Sequence, residues 1–295
     1  MSLTEGRILP ALHARFARTL AQPTVALVPF EVDGMRVGEL TEARARRVAD
    51  FDDVFALGNG RLGFASSLGT YASRTEALER VARTLAAEGA LTAWRDERYD
   101  IRASAVHPAV AALERAAARY FGIPTRAVHA NGLVDMGPTA AMWIARRSAT
   151  KAIDPGLLDN LVGGGIAAGA GVTDTLVKEA WEEAGIGAAL AGQARSTATL
   201  QVRRLGPDGV QNETIHVHDL WLPRDFVPAN QDGEAVEHRL VLLDALPALL
   251  ANDEGPDVVT LDASLVALDA LMRLGTIDAD DPYHPWLAAL CGAGR

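Results

Sequence analysis

The sequence predicts a mixed α+β fold, an α+β or α/β sandwich led by a smaller α+β unit. Three observations carry that reading. Strand-like apolar stretches recur through 127–147 and 197–243. Between them lies a glycine-opened helical run ending at Gly185. The stretch 246–274 then returns to helical periodicity. Strands bracketing a helix, with helices at the end, bury their apolar faces as layers. No repeat of fixed period is present.

The leading elements follow in order. Ile8, Leu12, Phe16 and Leu20 stand four apart and predict a helix over 3–20. Val25, Leu27, Phe30, Val32 and Val37, with the turn pair Asp33-Gly34, predict extended structure over 24–40. Thr41 is placed to cap a short helix through Ala49. Gly58-Asn59-Gly60 predicts a hairpin between 51–57 and 61–66. Ser73-x-x-Glu76 reads as a capping box for a helix bearing Leu78, Val81, Ala82 and Leu85 and ending at Gly89. Residues 94–101 crowd aromatic and ionic groups, as a substrate rim, a satisfied strand or an interdomain contact does. The alanine-rich run 109–121 predicts a helix, stopped at Gly122-Ile123-Pro124. The chain divides there, into 1–122 and 123–295.

The second part opens with strands over 128–133 and 141–147. Arg146, Arg147 and Lys151 form a basic cluster in a loop closed by Asp154-Pro155-Gly156. Residues 157–162 lead into the glycines. Strands over 197–205 and 210–222 flank the turn Pro207-Asp208-Gly209, and another strand covers 236–243. Helices over 246–251 and 257–274 end at Gly275.

Composition bounds the function. The chain has 295 residues, enough for one large domain or two ordinary ones. A net charge of −10 argues against a nucleic-acid polymer as partner. A small phosphate-bearing metabolite stays compatible, because a cation supplies positive charge locally. Cys291 is the sole cysteine, which excludes an intramolecular disulfide and a cysteine zinc site; it reads as an inert or fraying C-terminal thiol. No apolar run reaches the roughly 18 residues of a membrane span. No signal-peptide pattern opens the chain, so the expected location is cytoplasmic.

The chemistry concentrates at 163–186. Glu179, Glu182 and Glu183 lie at i, i+3 and i+4, on one helix face. Like charges there weaken an isolated helix. Either the face is simply solvated, or a hard divalent cation such as Mg²⁺ offsets the repulsion. The glycine entry admits close backbone approach. Arg146, Arg147 and Lys151 either neutralise a diphosphate or solubilise a loop. Trp143, Trp181 and Trp221 stack on a ring or pack in the core. His216 and His218 alternate along a strand without a third ligand nearby in sequence.

This pattern resembles the Nudix box, G-x5-E-x7-R-E-U-x-E-E-x-G-U, in which U is a bulky apolar residue. Gly164 matches the opening glycine, Glu179, Glu182 and Glu183 the last three glutamates, Gly185 the glycine and Ile186 the last apolar position. Ala170, Lys178 and Ala180 depart, at the first glutamate, the arginine and the following apolar position. The wider chain is similar to a Nudix branch related to thiamine pyrophosphokinase. That similarity runs through Trp94-Arg95-Asp96-Glu97 with Tyr99, through 146–160, and through Asp219-Leu220, Leu222-Pro223 and Asp232-Gly233-Glu234. The branch shares the lysine and the missing first glutamate.

The resemblance implies a Nudix-type α/β/α sandwich preceded by a smaller domain. It implies a Mg²⁺- or Mn²⁺-dependent hydrolase of a small organic diphosphate, either a damaged thiamine diphosphate or an oxidised nucleotide such as 8-oxo-dGDP. Glu179, Glu182 and Glu183, with the Gly163 carbonyl, would hold the metal. Arg146, Arg147, Lys151 and Lys178 would meet the substrate, and Glu234 or Glu237 would add a further carboxylate. No nucleic acid or membrane is expected as partner, and a homodimer is left open. Ala170 and Lys178 favour the alternative, a non-catalytic Nudix-fold binder of a nucleotide or cofactor. An isoprenoid diphosphate isomerase would need a catalytic cysteine near the site, and Cys291 stands elsewhere.

Overall fold

The computed structural model describes residues 5–21 and 25–291. The expected starts of the first helix, at residue 3, and of the extended stretch, at residue 24, lie outside them. Helix α1 (Glu5–Thr19) leads into a hairpin, β1 (Leu27–Val32) and β2 (Met35–Thr41), then α2 (Glu42–Ala49). A second hairpin follows, β3 (Phe55–Gly58) and β4 (Arg61–Phe64), then α3 (Tyr71–Ala87). The leading part ends with β5 (Arg98–Ile101), β6 (Ala111–Glu114) and the one-turn α4 (Ala118–Phe121). Its four-stranded sheet runs β2-β1-β4-β3, with β1 and β4 parallel. Phe30, Leu40, Leu62, Leu78, Leu85 and Phe121 fill its core.

The second part is built on β7 (Thr125–Asp135), β8 (Ala140–Arg147), β9 (Leu158–Asn160) and β10 (Val162–Gly165). Helices α5 (Val172–Ala184) and α6 (Ala188–Ala191) precede the long hairpin β11 (Arg195–Gly206) and β12 (Gly209–Leu222). Strand β13 (Ala235–Leu242) and helices α7 (Leu246–Ala251), α8 (Leu261–Arg273) and α9 (His284–Cys291) complete it. Its sheet runs β11-β12-β7-β8-β13, with β10 added to β7 and β9 to β8. Strands β7 and β12 are parallel neighbours. Alternation along β7 sends Ala127 and Leu133 to one core and Val128 and Ala130 to the other. Helix α8 covers the first face and α5 the second, through Leu176, Ala180 and Ala184. The result is the expected α/β/α sandwich with a smaller α+β domain ahead of it. Among the described residues, no helix is long and apolar enough to cross a membrane.

Four local expectations change. Helix α1 belongs to the core of the second part, where Leu12 and Phe16 lie with Leu250 and Val266. Buried Arg15 fixes it there by donating to the Leu250 and Val259 carbonyls and to Ser264 Oγ. The alanine-rich run 109–121 is not one helix, because Ala111–Glu114 is buried throughout and pairs with Arg98–Ile101. Thr75 Oγ1 accepts the Ala112 N–H, so tertiary partners override the helical preference of alanine. The capping box of α3 uses Thr70 and Ser73 rather than Ser73 and Glu76. Cys291 is buried in α9 rather than loose at the terminus.

Candidate active site

A cavity of about 380 Å³ opens between the two parts of the chain. The second part lines it with Gly163, Gly164 and Gly165, with Lys178, Glu179 and Glu182, and with Arg147, Lys151 and Glu234. The leading domain supplies Arg95, Glu97, Tyr99, Arg115 and Arg119.

Helix α5 sets the carboxylates. It ends at Gly185, whose φ of +66° suits glycine, and a Cβ there would fall 2.8 Å from the Ala229 carbonyl oxygen. This stop holds Glu179, Glu182 and Glu183 at the mouth of the glycine strand. Glu183 is buried, and its Oε2 accepts the Gly163 N–H at 2.7 Å. Burial pushes its carboxyl up to about 8, helped by the charges of Asp159 and Glu179 and opposed by Lys151 and the Gly163 N–H. Burial also raises Glu179, against the pull of Lys178. Lys178 Nζ joins Glu179 Oε1 at 3.1 Å and Glu182 Oε2 at 2.8 Å. Burial lowers the lysine, but those two glutamates hold it above its usual range. Lys178 thus bridges two of the glutamates that a box arginine would brace.

The three glycines of β10 each make room for one incoming side chain. A Cβ on Gly163 would lie 3.0 Å from the His129 ring, one on Gly164 2.3 Å from the Glu179 carboxyl carbon, and one on Gly165 1.9 Å from Tyr99 Oη. Real Cβ contacts do not tolerate the last two distances, so glycine is required there by space rather than by backbone angle. Tyr99 is buried, with Arg115 5.7 Å from its ring centroid. Burial pushes its phenol above the usual tyrosine range. Arg115 is in turn held by Glu97 at 2.6 Å.

The basic cluster divides. Arg147 faces the cavity and donates to Asp159 Oδ2 at 2.6 Å. Lys151 pairs with Glu234, which also accepts Arg95 Nη1 at 2.9 Å and so ties the two domains. Burial lowers the Lys151 ammonium, and the Glu183 charge opposes that. Arg146 does not reach the cavity. It donates to Glu237 at 2.7 Å and to the Gly156 and Pro256 carbonyls at 2.9 and 2.6 Å, and pairs with Asp257. Adjacent strand residues face opposite sides, so Arg147 turns in while Arg146 turns out. Glu237 shares that outer cluster with Arg239, which leaves Glu234 as the expected downstream carboxylate that lines the cavity.

Trp181 and Trp221 are exposed and Trp143 packs on the α5 side; none lines the cavity. Among the described residues, no three His, Cys, Asp or Glu side chains form a ready-made metal group, His216 and His218 included. Sequence reading missed His129, Asp159 and Arg115 as cavity residues; of the stretch 94–101, for which a substrate rim was one expectation, Arg95, Glu97 and Tyr99 line the cavity. The three successive glycines were the available signal, since each marks an incoming side chain.

Comparison with known proteins agrees with this architecture. Residues 125–262 match the NUDIX domain, and residues 12–125 match a domain of unknown function, DUF4743. The chain is 35% identical over 260 residues to Nudix hydrolase 24, chloroplastic, of Arabidopsis thaliana, covering 87% of this chain and 70% of that protein. It is 32% identical over 259 residues to Nudix hydrolase 20, chloroplastic, of the same plant, covering 85% and 68%. The crystal structure of DR0079 from Deinococcus radiodurans overlays with a TM-score of 0.45 at 24% identity, over 58% of this chain and 97% of that one. Relatives aligned through both domains, and a family match spanning the glutamate helix and its glycine strand, lead to one conclusion: the chain belongs to the Nudix hydrolase family.

Proposed function

We propose that this Nudix hydrolase removes phosphate from an organic diphosphate with Mg²⁺ or Mn²⁺. We place it in the thiamine-pyrophosphokinase-related branch, acting on a damaged thiamine diphosphate or an oxidised nucleoside diphosphate such as 8-oxo-dGDP. The observation that carries this reading is the crowding of carboxylates at Gly163. Glu183 is raised by its burial and by Asp159 and Glu179, a strain that added positive charge would relieve.

The donor set fits a hard divalent cation: carboxylate oxygens of Glu179, Glu182 and Glu183, with the Gly163 carbonyl. Such a cation polarises a phosphoryl oxygen and makes a bound water more acidic. The chain's own residues do the rest. Lys151 and Arg147 set positive charge beside the diphosphate. Gly164 lets Glu179 lie flat against the strand. Glu234, between Lys151 and Arg95, is the carboxylate we assign to accept a proton. Arg95, Tyr99 and Arg115 close the cavity from the leading domain.

The test is phosphate release from a panel of organic diphosphates with Mg²⁺, with Glu183→Gln as control. Metal-dependent turnover that vanishes in the variant is expected. Tight binding of those diphosphates without turnover would sink the reading.

A further inference from the structure

The leading domain places one tyrosine hydroxyl at the cavity, and that hydroxyl lacks a partner. Tyr99 stands on β5, is 6% exposed and lines the cavity. We infer that Tyr99 is a substrate-binding residue, whose phenol donates a hydrogen bond to a phosphoryl oxygen of the bound diphosphate, with Arg115 as the cation beside it. This deepens the organic-diphosphate reading above and rests on it for the rest of the ligand. It gives the leading part, which matches a domain of unknown function, a direct share in recognition.

The first argument is position. Successive strand residues face opposite sides. Glu179 fills the Gly164 gap from the α5 side, while His129 and Tyr99 fill the Gly163 and Gly165 gaps from the other. Tyr99 and Glu179 thus flank β10 on opposite faces. Of the three side chains, Tyr99 comes nearest the strand, since a Cβ on Gly165 would meet its oxygen at 1.9 Å. Gly165 is two residues, about 7 Å of strand, from Gly163, whose carbonyl is assigned to the metal. A diphosphate engaged at the glutamates has the phenol beside its next phosphoryl group.

The second argument is an unmet hydrogen bond. A buried tyrosine hydroxyl ordinarily finds a partner, and leaving it without one is costly. Among the described residues, the Tyr99 hydroxyl makes no hydrogen bond. Glu213, Glu97 and Glu179 act on it through space, yet each is engaged elsewhere. Glu97 takes Arg115 at 2.6 Å and Glu179 takes Lys178 at 3.1 Å. Glu213 takes the Thr125 hydroxyl at 3.2 Å and Gln211 Nε2 at 3.1 Å, an amide it shares with Asp262 on the cavity floor. The acceptor that Tyr99 lacks is one that a ligand brings. Arg115 sets the sign of its charge. The guanidinium carbon lies 5.7 Å from the Tyr99 ring centroid. Among the described residues its side chain donates only through Nη1, to Glu97, which leaves Nε and Nη2 for an anion. A hydroxyl beside a guanidinium suits a phosphoryl oxygen, which accepts from both.

The experiment uses the full chain with Mg²⁺ and methylenediphosphonate, a diphosphate analogue that is not hydrolysed at its bridge. Calorimetry compares the wild type with Tyr99→Phe and with Tyr120→Phe, a buried tyrosine of the same domain outside the cavity. Tyr99→Phe is expected to weaken binding about tenfold or more, as loss of a hydrogen bond to a charged group does. Tyr120→Phe should leave it within about twofold, and thermal midpoints confirm folding. NMR of the chain labelled at tyrosine Cζ gives a readout that packing alone does not move. Of the four tyrosines, Tyr99 is assigned by elimination with Tyr71→Phe, Tyr120→Phe and Tyr283→Phe, and its resonance should shift when the analogue is added. That readout decides the matter if Tyr99→Phe does not fold. No binding to the wild type, wild-type affinity in a folded Tyr99→Phe, or an unmoved Tyr99 resonance would overturn the proposal; the last two mean a hydroxyl served by water only. The analogue binds without turnover, so failure of the diphosphate panel would remove the hydrolase reading and leave this contact standing.

Discussion

Two carboxylate regions on one sheet behave in opposite ways. On the cavity side, Glu183, buried behind the lining glutamates, and Asp262, which lines the cavity, are pushed up, to about 8 and about 6, chiefly by burial. On the outer side, hydrogen bonds from Arg239 and Arg146 pull Glu237 down to about 2, and the same two arginines lower Asp257. The outer cluster has arginines for its acids and open solvent around it. The cavity gathers acids with too few cations, and a ligand or metal is the natural source of the missing charge. Satisfied ion pairs mark structure; unsatisfied, buried ones mark a site.

The strongest way to break that contrast is Glu183→Gln. Removing one proposed metal ligand should lower kcat about 10²-fold or more, with the thermal midpoint kept or raised because a buried acid crowded by Asp159 and Glu179 has gone. The matching outer change, Glu237→Gln, should leave kcat within about twofold; steady-state phosphate release reads both. A comparable loss in Glu237→Gln would erase the distinction.

Gly165→Ala should be next in effect. Its Cβ would meet Tyr99 Oη at 1.9 Å, costing about 1–3 kcal/mol by overpacking. Denaturant unfolding measures this, and adding Tyr99→Phe should recover part of the loss. Wild-type stability in the single variant would refute the packing of that strand.

Arg95→Ala cuts the domain tie to Glu234. It should raise KM several-fold and lower kcat several-fold, since it opens the leading domain's side of the cavity and also frees Glu234, the carboxylate assigned to accept a proton. A kcat loss with unchanged KM would reassign Arg95.

The two regions should also separate by pH. Asp262 is raised in the folded state, so the folded protein binds more protons than the unfolded chain between about pH 4 and 6. Its contribution to stability therefore falls as pH rises through that window. Glu237 is depressed, so its contribution is present above the ordinary glutamate range and is lost as pH falls toward about 2. Thermal midpoints against pH should flatten between pH 4 and 6 in Asp262→Asn. In Glu237→Gln they should change only at the acid end, and modestly, because that pair is exposed to solvent. The smallest effects are expected for Trp181→Ala and Trp221→Ala. Both rings are exposed and outside the cavity, so KM should stay within about twofold.

Legibility in the sequence followed locality. The helix of Glu179, Glu182 and Glu183 and its stop at Gly185 were readable because 3.6-residue periodicity and a left-handed glycine are properties of neighbouring residues. The turns at Asp33-Gly34 and Gly58-Asn59-Gly60 were readable for the same reason. The run 109–121 misled because alanine by itself favours a helix, and pairing with β5 in a buried setting overrode that preference. Glu234 and Glu237 looked equivalent until a register shift between Ala235 and Glu237, and the arginines beside them, sent one inward and the other out.

By itself, then, the sequence determined a glutamate-bearing helix behind a glycine strand, flanked by sheet and preceded by a smaller domain. The tertiary structure alone decided which side chains those glycines admit. His129 comes from β7, Glu179 from α5 and Tyr99 from the leading domain. It also decided that Arg147 faces the cavity and Arg146 does not, and that Gln211, Glu213 and Asp262 meet on one floor. The reason is physical: periodicity and capping act between near neighbours in the chain, whereas burial, charge balance and steric room depend on segments brought together only by packing.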